Sequence, residues 1–411
     1  MFTSTRVAIT GIGLITPAGR TVRDVFDAVL AGKSTASTVP ALVAAGTPVT
    51  FAATVPPFDP GSEVPPRERQ QLDRAALLAL VAASSAVADA GGLTGLEPDR
   101  IGVTVGTGTA GIPSAIATAL AHERDGAAYP AFTVPRIMSN SAAARIAMRF
   151  GCHGPALTYA TACASGATAL GEAAMKIRCG QLDAVLAGGA DAAVVPEIIS
   201  SFHQLRAMSV RNADPAAAAR PFDADRDGFV MGEGATFVLL ERWDLAQRRG
   251  ARIHGELAGY ASNCDAQHIV APAPDGARAA ACMTAALRDA GIAPDEVGHV
   301  NAHGTGTVLN DRAEAVALSR CFDGAPPPVT ASKGVVGHMF GAAGAFEAVV
   351  ALLSAREKLV PPVANFTAGT DIGQLDIVSG TARSIGSAPV LSNSFGFGGH
   401  NSCLVLTAGQ R

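Results

Sequence analysis

No C-x-x-C pair, no run rich in Lys and Arg, and no apolar stretch reaching roughly 18 residues occurs in this 411-residue sequence. Each absence removes a class of protein. Seven cysteines, an odd number in a long chain without close pairs, argue against a disulfide framework and against a zinc ribbon, so no metal is expected. A formal charge of −4 with no basic run speaks against a nucleic-acid surface. The opening MFTSTRVAITGIG lacks the basic region, apolar core and small-residue cleavage site of a secretory signal. The expectation is a cytoplasmic protein that binds neither membrane nor nucleic acid. What the chain has in quantity is apolar: 48% of residues are hydrophobic and 16% charged, enough at this length to bury a large core.

The pattern along the chain is α/β. Short β-branched runs at 7–13, 101–108, 184–191 and 237–241 alternate with Ala-rich helical stretches, as layered α/β folds require. The second half has its own set at 254–262, 299–304 and 389–399, each entering a Gly-rich loop, with helices expected over about 277–290 and 342–358. The charged stretch ERWDLAQRRGA at 241–251 is the natural joint, which divides the chain into 1–250 and 251–411. APPPV at 325–329 reads as a surface loop before a strand.

Cys163 stands where TYATA gives way to a helical pattern of small and apolar residues, Ala169, Leu170, Ala173, Ala174 and Ile177. That places its thiol at a helix N-terminus, where unpaired N–H groups and the positive end of the dipole favour thiolate. An isolated cysteine is usually a small buried apolar residue. Cys152, Cys179, Cys264, Cys282, Cys321 and Cys403 are read that way. Cys163 differs because partners exist. His303 ends an apolar strand in VNAHGTGT, beside the hydroxyls of Thr305 and Thr307, while His338 follows Lys333 in SKGVVGHMFGAAGAFE, just before a helix. Three such groups at strand-to-loop positions point to a site, because loops on a rigid α/β scaffold collect catalytic side chains.

The segments ATACASG, VNAHGTGT, SKGVVGHMFGAAGAFE, SNSFGFGGHN and RPFDADRDGFVMGEGA, in their order along the chain, resemble the elongating β-ketoacyl-[acyl-carrier-protein] synthases of the thiolase superfamily. The resemblance implies an α/β thiolase fold, five-layered αβαβα with two pseudo-symmetric halves, a dimer, and a Cys-His-His site. It implies acyl transfer from acyl carrier protein to Cys163, then decarboxylative condensation with malonyl-carrier protein. His303 and His338 would donate hydrogen bonds to the enolate oxygen. The backbone N–H groups of Cys163 and Phe397 would form the acyl oxyanion hole. Lys333 and Glu314 resemble the family's charged pair behind the histidines, and Thr305 and Thr307 its contacts to the pantetheine arm. Phe202, Phe395 and Phe397 match the acyl pocket and gate, and Arg67, Arg69 and Arg206 its carrier-docking face. No cofactor is implied, since substrates arrive on the 4'-phosphopantetheine arm of the carrier.

The departures carry information too. Thr133 stands in Phe-Thr-Val-Pro where the fatty-acid enzymes often have Phe-Phe-Val-Pro, and Thr109 where a bulkier aliphatic gate is usual. Both alter the far end of the expected acyl pocket. Asn310 before Asp311, and SNCDAQH at 262–268, lean toward ketosynthase subunits of type II polyketide synthases. Such subunits often pair with a chain-length factor that lacks the cysteine; this chain keeps Cys163, so it is expected to be the catalytic member of any such pair, as a homodimer or as a heterodimer with a chain-length-factor paralogue. The alternatives are a homodimeric fatty-acid elongation synthase and a thiolase-like acyltransferase. The latter would use a second cysteine in the last Gly-rich loop, where this chain has His400 and Asn401.

Overall fold

The computed structural model describes residues 5–409. Ten strands share one mixed sheet: β1 (Val7–Ile15), β2 (Ile101–Gly106), β3 (Ala156–Tyr159), β4 (Ala184–Asp191), β5 (Gly234–Arg242), β6 (Gly255–Cys264), β7 (His299–Asn301), β8 (Val329–Thr330), β9 (Val390–Gly396) and β10 (His400–Ala408). Six helices cover it: α1 (Arg74–Asp89), α2 (Ser141–Phe150), α3 (Ser165–Arg178), α4 (Ala277–Ala290), α5 (Val308–Cys321) and α6 (Ala343–Glu357).

The strand order is β8-β7-β9-β10-β6-β1-β5-β4-β2-β3. Outward from the β1–β6 junction, where Ala8 faces Glu256, each half runs first, fifth, fourth, second, third strand. Directions repeat as well. The second strand of each half is parallel to its third and fourth, while the fourth and fifth, and the fifth and first, are antiparallel. Each half also places its helices after its first, second and third strands. The helix Trp243–Arg248 joins them.

Side-chain alternation along the strands sets the layers. Val185, Ala187, Val238 and Leu240 face a middle core with α3 and α6, while their neighbours Leu186, Phe237 and Leu239 face α1 on the outside. In the second half Leu404 and Leu406 face the middle, and Cys403 and Val405 face α4 and α5. The two halves of the sheet thus pack on either side of the middle helices, giving the layers helix, half-sheet, helix, half-sheet, helix. α6 occupies the centre, and from Ala343 to Ala355 every residue is buried, as a helix apolar on all sides must be. Among the described residues no helix is long and apolar enough to cross a membrane. The cysteines divide differently from expectation: Cys152, Cys282, Cys321 and Cys403 are buried, but Cys179 and Cys264 are exposed. Cys179 follows the last turn of α3, and Cys264 is the last residue of β6, where the core no longer covers them.

The middle layer tolerates little added volume. A Cβ on Gly171 of α3 would lie 2.1 Å from Cδ2 of the buried Tyr260 ring. Alanine in a helix gains about 1 kcal/mol over glycine, but overpacking a core costs about 1–3 kcal/mol or more. Gly171→Ala is therefore expected to lower unfolding stability in urea, whereas a stabilised variant would mean that the Tyr260 ring swings freely.

Candidate active site

The N-termini of the two central helices meet almost without side chains. A Cβ on Gly166 would lie 2.6 Å from the Gly341 carbonyl oxygen, and one on Gly344 2.7 Å from the Ala167 nitrogen. These contacts bring together the turn before α3, which carries Cys163, and the turn before α6, which carries His338. Cys163 lies in the turn Ala162–Ala164 and is 8% exposed. Ala162 holds a left-handed φ of 50°, a strain of about 1–3 kcal/mol for a residue with a side chain. Ser165 secures the turn, its hydroxyl donating to the Ala162 carbonyl at 2.6 Å and accepting from the Thr161 N–H at 2.9 Å. Gly396 lets a second backbone close in, since a Cβ there would lie 2.6 Å from the Thr161 oxygen and 3.1 Å from the Cys163 nitrogen. The next residue, Phe397, points its N–H at the Cys163 sulfur.

The histidines come from the second half. His303 follows β7, and Glu314 of α5 accepts the His303 and Gly304 N–H groups, both at 2.8 Å. His338 is held by its own N–H to the Val230 carbonyl at 2.7 Å and by its carbonyl, which accepts from the Gly232 N–H at 2.9 Å. The two imidazoles lie 5.5 Å apart, nearly perpendicular, and Phe340 stacks on His338 at 5.0 Å. Lys333 donates to Nδ1 of His303 at 3.1 Å and to its carbonyl at 2.6 Å. An ammonium donating to Nδ1 leaves the ring proton on Nε2. Burial, then the charge of Lys333, holds both imidazoles well below their ordinary pKa, so both are neutral donors at pH 7.

Two expectations change. Lys333 does not pair with Glu314; its carboxylate partner is Glu347 of α6. Glu314 serves instead as the backbone acceptor behind His303, with a donor from the Asn393 amide at 3.3 Å. Burial pushes both carboxyl groups up to about 7. The signal for Glu347 was in the sequence, as a lone charge inside an apolar helix. The second change concerns the nucleophile. Burial pushes the Cys163 thiol up to about 12, against the pull of Lys333, so the resting group is a thiol rather than the expected thiolate. The helix terminus and Lys333 act when charge develops on sulfur during attack.

All of this opens on one cavity of about 350 Å³. Its wall includes Cys163, His303 and His338, with Thr305 and Thr307 toward the mouth and Thr109, Phe202, Phe395 and Phe397 as apolar or small surfaces. The Thr305 and Thr307 hydroxyls lie 2.9 Å apart, and Thr307 also caps α5 by accepting from the Asn310 N–H. Arg206 stands at the mouth. Arg67 and Arg69 do not line it, and Arg69 is occupied by the Val64 and Gly61 carbonyls and by Asp59. Thr133 also lies away from the cavity, in the short helix Thr133–Ile137, its hydroxyl donating to the Pro130 carbonyl. Within one chain it therefore closes no pocket. A thiol nucleophile, two backbone N–H groups and two neutral imidazoles around one largely apolar cavity suit thioester formation and the stabilisation of two successive oxyanions.

Comparison with known proteins agrees with this chemistry. The family model for the beta-ketoacyl synthase N-terminal domain matches residues 4–246, and that for the C-terminal domain residues 254–367. The chain is 38% identical to 3-oxoacyl-[acyl-carrier-protein] synthase 2 of Synechocystis sp. over 406 residues, covering 98% of this chain and 97% of that protein. It is likewise 38% identical to the Coxiella burnetii protein of that name, covering 98% of each. Among solved structures, the ishigamide ketosynthase/chain length factor aligns with a TM-score of 0.92 at 33% identity, over 99% of this chain and all of that one. A type II PKS acyl-carrier protein complex with its ketosynthase aligns at 0.90 and 30% identity, over 99% of this chain and 100% of that one.

The raised thiol pKa has a measurable sign. Alkylation of Cys163 by iodoacetamide, followed by peptide mass spectrometry, is expected to accelerate about tenfold per pH unit between pH 7 and 10 without levelling. A plateau near neutrality would show a resting thiolate.

Proposed function

The chain belongs to the β-ketoacyl synthase family, and we propose that within it this protein is the cysteine-bearing, condensing subunit of a type II polyketide synthase. It is an acyltransferase that forms carbon–carbon bonds. Its two halves, 1–250 and 251–411, are read as copies of one unit, which their repeated strand order supports. Catalysis proceeds in two steps. The Cys163 sulfur attacks an acyl thioester, its proton passes to the departing pantetheine sulfur, and the acyl group remains on Cys163. Malonyl thioester then loses CO2, and the enolate carbon attacks the Cys163 thioester. The β-ketoacyl product stays on the carrier, while the released cysteine thiolate takes up a proton.

The observation that carries this reading is the pair of neutral imidazoles facing the nucleophile's cavity. A neutral ring with its proton on Nε2, as Lys333 sets it for His303, donates to an enolate oxygen without competing as an acid. Charge grows on that oxygen only as CO2 departs, so the hydrogen bonds favour the transition state over the substrate. One such donor typically contributes about 3–4 kcal/mol. The Cys163 and Phe397 N–H groups would do the same for the acyl oxygen. Thr305 and Thr307 would guide the pantetheine arm, and Arg206 at the mouth would meet the acidic carrier protein. No cofactor enters this scheme, and we place it in the cytoplasm.

A second thiolase-fold chain fits the opposite edge. β3 ends the sheet with Leu157 exposed, and in the segment leading into α2, which packs on β3, Tyr129, Phe132, Val134 and Met138 are all more than 40% exposed, a concentration of apolar surface that marks an interface. Thr133 lies in this region. A chain-length factor there would complete an acyl pocket that one chain leaves open. The second reading, a homodimeric fatty-acid synthase, is favoured by the 38% identity to the 3-oxoacyl synthases.

For the chemistry, Cys163→Ala is expected to take up no acyl group by intact mass, while His303→Ala and His338→Ala acylate but lose condensation by about 10²–10³-fold. Stoichiometric acylation of Cys163→Ala would defeat the assignment. For the partner, co-expression with a cysteine-lacking paralogue is expected to give a heterodimer with longer products. A fully active homodimer with unchanged products would decide for the fatty-acid reading.

A further inference from the structure

One buried carboxylate outside the reacting groups holds the two catalytic turns together. Asp191, at the end of β4, has no solvent exposure. Its Oδ1 accepts from the Thr107 hydroxyl at 3.0 Å, the Thr109 N–H at 3.0 Å and the Thr109 hydroxyl at 2.7 Å. Its Oδ2 accepts from the Gly108 and Gly341 N–H groups, both at 2.7 Å. The first four donors belong to the turn under Cys163 in the first half of the chain. The fifth belongs to the turn after His338 in the second half.

We propose that Asp191 is a positioning residue for the condensation step, setting the His338 imidazole through the turn 338–341. The start of that turn is already fixed, because His338 bonds Val230 and Gly232 through its backbone. Its end depends on Asp191. Phe340, whose ring stacks on His338, has a left-handed φ of 46°. Such a conformation persists in a residue with a side chain only when its surroundings over-determine it. The Gly341 N–H, the next donor along, is tied to Asp191. The fit is tight as well: a Cβ on Gly341 would lie 2.5 Å from Thr107 Cα and 2.7 Å from Asp191 Oδ2. Cys163 has a further hold inside its own turn, the Ser165 hydroxyl donating to the Ala162 carbonyl and accepting from the Thr161 N–H, and the Thr107 N–H beneath it keeps its own bond to the Tyr159 carbonyl. Loss of Asp191 should therefore disturb the imidazole more than the nucleophile.

The test separates the half-reactions. Acylation of Cys163 by an acyl-pantetheine thioester is followed by intact mass, and CO2 release from malonyl-pantetheine by the acylated enzyme is followed kinetically. Asp191→Ala is expected to slow CO2 release about 10²-fold, the loss that a misplacement of about 1 Å brings, with acylation within about twofold of the parent. Asp191→Asn retains one neutral oxygen that can face the Gly108 and Gly341 N–H groups. It is expected to recover part of the loss at unchanged KM, which a merely structural role would not produce. If Asp191→Ala does not fold, the ratio of the two rates in Asp191→Asn decides alone: a ratio below the parent's supports the proposal, and an equal ratio overturns it. Equal loss of both half-reactions in either variant also overturns it. A parent enzyme that performs neither half-reaction would count against the reaction itself rather than against the role of Asp191.

Discussion

The site depends on a contact between two helix ends that no side chain could share. Gly166, Gly341, Gly344 and Gly189 converge where α3 and α6 approach, and a Cβ on Gly189 would lie 2.2 Å from the Gly341 oxygen. Interiors pack as densely as organic crystals, so a few misplaced methyl groups here would drive the helices apart by ångströms. That separation would move Cys163 away from His338. The repeated strand order explains why the contact exists: each half sends one helix into the middle layer after its third strand, and the two helices start at the same end.

Bringing those ends together also removes water, and this decides the protonation states. Cys163, His303, His338, Lys333, Glu314 and Glu347 are all buried. Desolvation favours the neutral forms of the thiol, the two imidazoles and the two carboxyl groups, which suits two rings that must donate without being charged. Lys333 and Glu347 offset part of that cost by pairing with each other where solvent cannot reach. One ammonium then serves three purposes. It sets the tautomer of His303, adds to burial in keeping both rings neutral, and lowers the energy of negative charge on the Cys163 sulfur.

The outer surface shows a different economy. The face that carries the cavity mouth combines Arg206 with exposed Leu205, Val308 and Leu309, a mixture suited to a partner that arrives and leaves. The edge at β3 is more apolar and ends in a strand that is paired on one side only.

Strand and helix positions were legible from residue pattern, because alternation and Gly-rich turns are local properties. So were Cys163, His303, His338 and Lys333, since each lies in a distinctive run between a strand and the central or outer helix that follows it. Three matters were decided by tertiary structure alone. Lys333 chose Glu347 over Glu314 because α6 passes beside it, whereas Glu314 is turned to the backbone of His303. The thiol of Cys163 became a weak acid because burial, which no single segment reveals, has a larger effect than the local charges. Asp191 ended the strand AVLAGGAD like an ordinary polar terminus, and its function as an anchor for two turns arises only when residues 107–109 and 341 fold onto it. Local sequence determines which segments form and which groups are chemically able. Pairing, protonation and position follow from what the second half of the chain brings against the first, because charge and hydrogen bonding act across space rather than along the chain.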